Sequence, residues 1–353
     1  MRFCAGIPNC GRVPGRPEMR VLILHSDIAP GAPPDEQDTL VQANAIATAL
    51  NGRGHRAVTA PFVADPARLA ALAAEADVLF NLVESVDGSG FKAAEAAALF
   101  FSTLGIPCTG SPASALVLTG DKPESKRRLA AAGLATPAWA MPPDWQGLRD
   151  DLPYIVKSAR EDASIGLDDG AVLTGRGAII ARAAASAAAY GGLWFAEEYL
   201  TGREFNVALL DEAGVPIVLP IAEMRFADWP SDRPRIVGYR AKWDEASFEA
   251  RKTVRDFSWA SREPELNAAL HALATQAWAL FGLGGYARVD LRCRADGTPT
   301  ILEVNTNPCL SPDAGFAAAA EQQGYAYAGL VERVVAAAHT PAQSAVRGRS
   351  GAD

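Results

Sequence analysis

Histidine and paired cysteine are scarce in this chain, and each scarcity closes off a class of chemistry. Among 353 residues there are four histidines, His25, His55, His271 and His339, and none stands at metal-ligand spacing from another. A histidine-built metal centre is therefore not expected. The five cysteines, Cys4, Cys10, Cys108, Cys293 and Cys309, are odd in number, scattered and without a CxxC pair. That argues against a disulfide framework or a zinc site and for reduced thiols. No uninterrupted apolar run approaches the roughly 20 residues of a membrane span. Residues 1–18 carry Pro, Gly and Arg without the hydrophobic stretch of a signal peptide. Basic side chains are outnumbered, 33 against 41 acidic, for a net charge of -8. A broad surface for nucleic acid or anionic membrane is thereby excluded, and any anionic ligand must be held by a local pocket. There is no internal repeat. The expectation is a soluble cytoplasmic protein with small-molecule partners.

What is present is a globular composition, 49% hydrophobic and 21% charged, in a chain long enough for two or three domains. Residues 20–24 (RVLIL) read as a buried strand, followed by a Pro/Gly loop and a helix over 36–50. A strand over 56–62, an Ala-rich helix over 66–76 and a strand over 77–82 continue the alternation that builds a parallel sheet. Later comes an amphipathic helix, PESKRRLAAAGL, capped by Asp121 and ended by Gly133. Two strands, LWFAEEYL and REFNVALLD, are expected around a Thr201-Gly202 turn. Residues 216–241 read as strand interrupted by a loop, residues 242–259 as a charged surface excursion, and residues 265–280 as an amphipathic helix. Two Ala-rich helices then run to about His339.

The stretch YARVDLRCRADGTPTILEVNTNP, residues 286–308, reads as a β-hairpin about Asp296-Gly297, a dipeptide suited to a two-residue type I′ turn. That turn predicts Asp290 opposite Glu303 and Arg288 opposite Asn305. Strand alternation then puts Arg288, Asp290, Arg292, Ile301, Glu303 and Asn305 on one face, and Val289, Leu291, Cys293, Leu302 and Val304 on the other. Two acids directly across a sheet repel. A divalent cation such as Mg²⁺ resolves the repulsion, and so does neutralisation of a solvated face by Arg288 and Arg292. On pairing alone, removing the Glu303 charge is expected to leave stability equal or higher.

Other residues point to a bound anion. Lys122 opens a helix, where its charge opposes the helix dipole. Lys157 sits in an apolar strand (YIVK), an expensive place for an ammonium without an anionic partner. Removing that charge is expected to stabilise the ligand-free protein. The loop after it, with Ser164 and Gly166, suits a flap closing over phosphates. Glu197, Glu198, Tyr199, Leu200 and Glu204 follow in a strand-turn-strand that suits a nucleotide, with backbone for adenine and a carboxylate for ribose. Glu36, Glu84 and Asp87, in loops after strands of the first sheet, are candidates to recognise a substrate amine.

Together, the Asp-Lys before a helix, the Ile-Val-Lys strand with its small-residue flap, Glu-Glu-Tyr-Leu…Arg-Glu-Phe and Arg-Val-Asp…Glu-Val-Asn-Thr-Asn-Pro resemble the ATP-grasp superfamily. The branch they most resemble is the D-alanine-D-alanine ligases. The resemblance implies an α/β chain, α+β in its ATP-grasp portion. It would be an open parallel-sheet substrate domain (19–117) followed by two subdomains, 118–200 and 201–339, that clamp ATP between antiparallel sheets; residues 1–18 and 340–353 are expected to be disordered. It also implies roles. Lys122 and Lys157 would hold phosphates beneath the flap, Glu197 with Glu198, Tyr199 and Leu200 would bind adenine, and Glu204 the ribose. Asp290, Glu303 and Asn305 would ligate two Mg²⁺ ions, for which Mn²⁺ could substitute. Arg288 would stabilise the transferring phosphoryl group, and Lys242 would close over it.

The function implied is ATP-dependent ligation of a carboxylate to an amine through an acyl phosphate, on an amino acid or similar small substrate. A homodimer is the oligomer allowed for. Two alternatives stand beside it: a true D-alanine-D-alanine ligase, and a nucleotide-binding regulatory protein without catalysis. The substrate side departs from the family. Its Leu-His-Gly is Leu82-Val83-Glu84 here, its Glu before Val-Ser-Leu corresponds to Asp35, Glu36 or Asp38, and its Ser-Pro-Gly-Met is Asn307-Pro308-Cys309-Leu310. Substrate contacts are therefore expected from Glu36, Glu84, Asn307, Cys309 and Ser311. Because residues 1–18 lack apolar periodicity, a chain beginning at Met19 should match the full chain in melting temperature and turnover. A loss of several degrees would show that the segment packs.

Overall fold

Arg20–His25 (β1) is an apolar run in which every residue after Arg20 is buried. It lies at the centre of a parallel sheet between Arg56–Pro61 (β2) and Val78–Leu82 (β3), in a computed structural model that describes residues 18–338. The connections are helices Pro34–Gly52 (α1) and Pro66–Ala73 (α2), the second started by Asp65, whose carboxylate accepts from the Ala67 and Arg68 amides. The expected alternation is therefore present. Helices Ala93–Thr103 (α3) and Ala113–Gly120 (α4), which follow, were not anticipated. Their runs of Ala and Leu offer too little polar contrast for a helical period to show.

A second sheet, wholly antiparallel, follows helix Lys122–Ala131 (α5) and has the order β4-β7-β5-β6. Its strands are Trp139–Ala140 (β4), Pro153–Ser158 (β5), Val172–Thr174 (β6) and Trp194–Glu198 (β7), with helix Arg176–Tyr190 (α6) packed on one face through Ile179 and Ala183. A third sheet has the order β11-β10-β8-β12-β13, with β9 against β8. It comprises Glu204–Glu212 (β8), Val215–Val218 (β9), Ala222–Phe226 (β10), Thr253–Asp256 (β11), Tyr286–Cys293 (β12) and Pro299–Asn305 (β13). Short helices Tyr239–Trp243 (α7) and Phe248–Lys252 (α8) precede β11, and Pro264–Phe281 (α9) precedes β12. Gly315–Gln322 (α10) and Tyr327–Ala336 (α11) complete the described chain, and the expected helix end at His339 lies outside it.

Three local expectations are corrected. Thr201-Gly202 does not make a hairpin: β7 and β8 belong to different sheets. The crossing is pinned instead to β12, where the Cys293 amide donates to the Arg203 carbonyl at 2.8 Å and a Cβ on Gly202 would lie 2.2 Å from the Cys293 carbonyl oxygen. The excursion at 242–259 is two helical turns and an edge strand that face the central cleft. The hairpin loop, finally, has three residues. The Arg294 amide donates to the Thr298 carbonyl, the Gly297 amide to the Arg294 carbonyl, and Gly297 takes φ 88°, as in a type I turn closed by a left-handed residue.

That longer loop shifts the pairing by one, so Leu291 faces Ile301 and Arg292 faces Thr300. A bulge next to Leu302 shifts it back, and Asp290 faces Glu303 and Arg288 faces Asn305 as expected. The bulge also turns Ile301 inward, 0% exposed, and leaves Leu302 lining the cleft, the reverse of their expected faces.

One core joins the ends of the chain: Val21, Ile23, Ile46 and Phe80 of the first sheet and its helix pack with Leu210, Tyr286, Phe316, Leu330 and Val334. A second core fills the other face of the third sheet, with Phe205, Val207, Val289 and Ile301 against Leu270, Ala274 and Trp278 of α9. Where the first layer meets β12, Gly285 has φ +67° and an added Cβ would stand 2.7 Å from the Gly110 amide nitrogen. Gly285→Ala is expected to cost more than about 2 kcal/mol, combining a left-handed backbone with a backbone clash. Denaturant unfolding checks this, and a loss below about 0.5 kcal/mol would show that the junction yields.

Candidate active site

Between the second and third sheets lies a cleft of about 790 Å³, closed at one end by the first sheet's loops. Four of its cations converge from four elements. Lys122 is the first residue of α5, behind the Asp121 cap, and its ammonium donates to Asp162 Oδ1 at 2.7 Å and to the Glu161 carbonyl at 2.9 Å. Lys157, on β5, donates to Glu197 Oε1 at 2.8 Å from the neighbouring strand β7. Lys242 comes from α7. Although part of its side chain is exposed, desolvation inside the cleft and the nearby Arg288 push its ammonium below the usual range. Arg288, on β12, grips Asp290 with two bonds of 2.7 Å, and Asn206 donates to the same carboxylate at 2.8 Å.

Two expectations about charge are overturned here. The Asp290–Glu303 clash is absent because Asp290 is neutralised by Arg288, while Glu303 faces Lys122, Lys157, Lys242 and Arg288. Burial alone would raise the Glu303 carboxyl, but those four cations outweigh it and bring it to about 2. Lys157 is also not an unpaired ammonium. Glu197 stands between it and Lys126, and although burial opposes its charge, the two lysines hold its carboxyl below the usual range. Replacing Lys157 would leave Glu197 one counter-ion short, so the ligand-free protein should lose stability.

The remaining nucleotide-side residues are brought together unevenly. Glu204 receives Arg292 at 3.3 Å, and burial raises its carboxyl. The Glu198 carboxylate is taken by Arg294 at 3.1 Å, and the Glu198 and Tyr199 amides by the Ala138 and Pro153 carbonyls. Tyr199 carries the Arg292 guanidinium over its ring, and Leu200 is 5% exposed at the cleft wall. The flap is fastened across the cleft: Ser164 donates to the Val237 carbonyl at 3.0 Å, and the Trp243 indole to the Ala163 carbonyl at 3.1 Å. Gly166 has φ +67°, and a Cβ there would meet Trp194 at 2.7 Å.

At the other end Asp38, one of three acids considered for the first loop, proves to be the hub. It accepts from Ser311 Oγ at 2.8 Å, from Gln42 Nε2 at 3.1 Å and from the Cys309 thiol, which burial keeps protonated. Gln42 Nε2 also reaches Glu84 Oε1 at 3.1 Å, and burial pushes that carboxyl up to about 7. Neither Asp38 nor Glu84 has a cationic partner among the described residues. Asn307 Oδ1 accepts from Tyr286 at 2.6 Å and its Nδ2 has no partner, whereas Glu36 stays exposed at the mouth. Gln42 and Lys126 were missed, although each lies four residues after a residue already singled out, on the same helix face.

No group of three or more acidic, histidine or cysteine side chains forms a metal cage among the described residues. The donor set nonetheless fits Mg²⁺, which takes one or two carboxylates and completes its shell with phosphate and water. Glu303 is held charged and makes no hydrogen bond among the described residues, so its oxygens are available. Asn305 lies beside it across from Arg288, with its Oδ1 accepting from the Asn307 amide at 2.9 Å.

Residues 147–336 match the family described as D-ala D-ala ligase C-terminus. A D-alanine-D-alanine ligase of Cupriavidus necator is 33% identical over 240 residues, 67% of this chain and 68% of that one. The chain belongs to the D-alanine-D-alanine ligase family. A ligase of the same name from Moorella thermoacetica is 29% identical over 328 residues, covering 88% of this chain and 98% of its own. The fold is that of the Bacillus anthracis D-alanine-D-alanine ligase solved with ATP, with a TM-score of 0.70, 20% identity, and coverage of 94% of this chain and all of the other. The protein is thus an ATP-grasp ligase forming carbon–nitrogen bonds, in a family that uses ATP and Mg²⁺. These likenesses favour the narrower D-alanine-D-alanine alternative over the broader first reading. Among the described residues no helix is long and apolar enough to cross a membrane.

The charge balance sets a test. A carboxyl depressed in the folded state stabilises above its unfolded range, and that contribution disappears as pH falls through the folded value. Glu303→Gln should therefore melt below the parent at pH 7, with the gap narrowing from pH 4.5 towards pH 2. Thermal melts across that range check it; a variant as stable as the parent at pH 7 would mean the cations do not act on Glu303.

Proposed function

We propose that this protein is an ATP-dependent ligase that joins two small amino acids through an acyl phosphate, releasing ADP and phosphate, with D-alanine as the first candidate for both. The observation that carries it is the pairing of a cation-rich half-cleft, built by Lys122, Lys157, Lys242 and Arg288, with an acidic half in which Asp38 and Glu84 form no ion pair among the described residues. The family relatives named D-alanine-D-alanine ligase support the same substrate pair.

In this reading Lys122 and Lys157 hold ATP phosphates under the Glu161–Gly166 flap, with Glu197, the backbone from Glu198 through Tyr199 to Leu200, and Glu204 around the nucleoside. Asp290, Glu303 and Asn305 would hold two Mg²⁺ ions, which when bound would supply neutralisation of the phosphate charge. Arg288, fixed by Asp290, faces the transferring phosphoryl group and then the oxyanion as the amine attacks. Lys242 and Trp243, on the fastened flap partner, exclude water so that the acyl phosphate meets the amine first. Asp38 and Glu84 take the ammonium of the carboxylate substrate, and Asn307, Cys309 and Ser311 border it. Localisation in the cytoplasm fits a protein consuming ATP.

ADP release across D- and L-amino acids, singly and in pairs with Mg-ATP, tests the reading. Turnover with D-alanine alone is expected; turnover only with some other pair would retain the ligase and replace its substrate. Glu303→Gln should abolish turnover. Asp38→Asn should raise KM for the amino acid at least about tenfold, since a charged hydrogen bond is lost, and leave KM for ATP unchanged. Because the Glu84 carboxyl ionises near pH 7, KM for the amino acid should fall between pH 6 and 8 in the parent and stay flat in Glu84→Gln. A flat parental profile would remove Glu84 from ammonium binding.

A further inference from the structure

Lys126 has no part in the reading above, yet it is among the largest fully buried side chains of the protein, at 1% exposure. It stands one turn beyond Lys122 on α5. Its ammonium donates to Thr136 Oγ1 at 2.9 Å and to the Leu302 carbonyl at 3.3 Å, and it pairs with Glu197 Oε2. With two N–H groups donated, its charge turned to Glu197 and no place in the cleft lining, Lys126 is not set to touch a ligand itself.

Lys157 presents the opposite case. Among the described residues its one hydrogen-bond partner is Glu197 Oε1, and it lines the cleft. Glu197 is 1% exposed, so neither solvent nor salt screens the arrangement. Together Lys126, Lys157 and Glu197 carry a net charge of one positive unit. Without Lys126 the remaining pair would be neutral, and the Lys157 ammonium would be spent on Glu197.

We infer that Lys126 is a positioning residue: by occupying one oxygen of Glu197 it keeps the charge of Lys157 available to the phosphates of a bound nucleotide. The inference rests on the ATP-binding reading of the cleft. Through the Leu302 carbonyl, Lys126 also holds the bulge that returns Glu303 to its place opposite Asp290, so the phosphate and metal sides share one anchor. Thr136 reinforces this, donating to the Ile301 carbonyl at 2.9 Å.

A purely packing role would weaken all ligands alike, whereas an electrostatic one singles out phosphate. Calorimetric titration of ADP and of adenosine into the parent, Lys126→Met, Lys157→Met and the double variant Lys126→Met/Glu197→Gln separates the two. Lys126→Met should lose ADP affinity by about tenfold or more while adenosine changes by less than about threefold, the discrimination expected of one charge in a desolvated site. The double variant deletes the anion together with its counter-ion and should return the ADP-to-adenosine ratio to near the parental value. Equal losses for both ligands in Lys126→Met, or a ratio that stays collapsed in the double variant, would overturn the inference. Should Lys126→Met fail to fold, the double variant, which buries no unpaired anion, decides alone by that same ratio. Lys157→Met separates the two levels. A parental ratio there would overturn the phosphate reading itself, whereas a collapse there with a parental ratio in Lys126→Met would overturn only the role of Lys126.

Discussion

The cleft is governed by an excess of positive charge held in place by a few carboxylates, of which Glu197 and Asp290 are themselves buried. Lys122, Lys157, Lys242 and Arg288 converge from α5, β5, α7 and β12, and Glu303 is the carboxylate on which all four act. Like charges at this density are tolerated only because Asp162, Glu197 and Asp290 each hold one of them by a hydrogen bond. That imbalance organises the second and third sheets about one line.

The same economy explains the loops. The flap and the α7 segment meet through main-chain acceptors, Ala163 and Val237, so their fastening does not consume the charges that face the cleft. Arg294 and Arg292 tie up Glu198 and Glu204 at the rim. At the far end the logic inverts: Asp38 and Glu84 are bridged by a neutral amide and have no counter-ion among the described residues.

Much of this was legible in residue order because it depends on local spacing. The parallel alternation of the first sheet, the Asp121 cap, α9 with its glycine end, and the pairing of Asp290 with Glu303 all follow from periods of 2 and 3.6 and from turn chemistry. The hairpin is instructive, since the site register came out as expected although the loop did not: a one-residue loop shift is undone by the bulge at Leu302. Ile301 and Leu302 exchange faces for that reason, a change no alternation pattern contains.

The sequence by itself determined the class of chemistry. Its ordered lysines, acids and Arg-Val-Asp…Glu-Val-Asn pattern resembled a nucleotide-dependent ligase of a known superfamily. Only the tertiary structure decided the partners of the charges. Glu197 and Lys157 are adjacent through a strand pairing, Lys126 reaches Glu197 from a helix, and Asp38 meets Ser311 across 273 residues. Spacing along the chain reports which side chains share a face of one element. The sign and strength of a buried charge depend on what other elements bring against it, and that is set by packing between sheets.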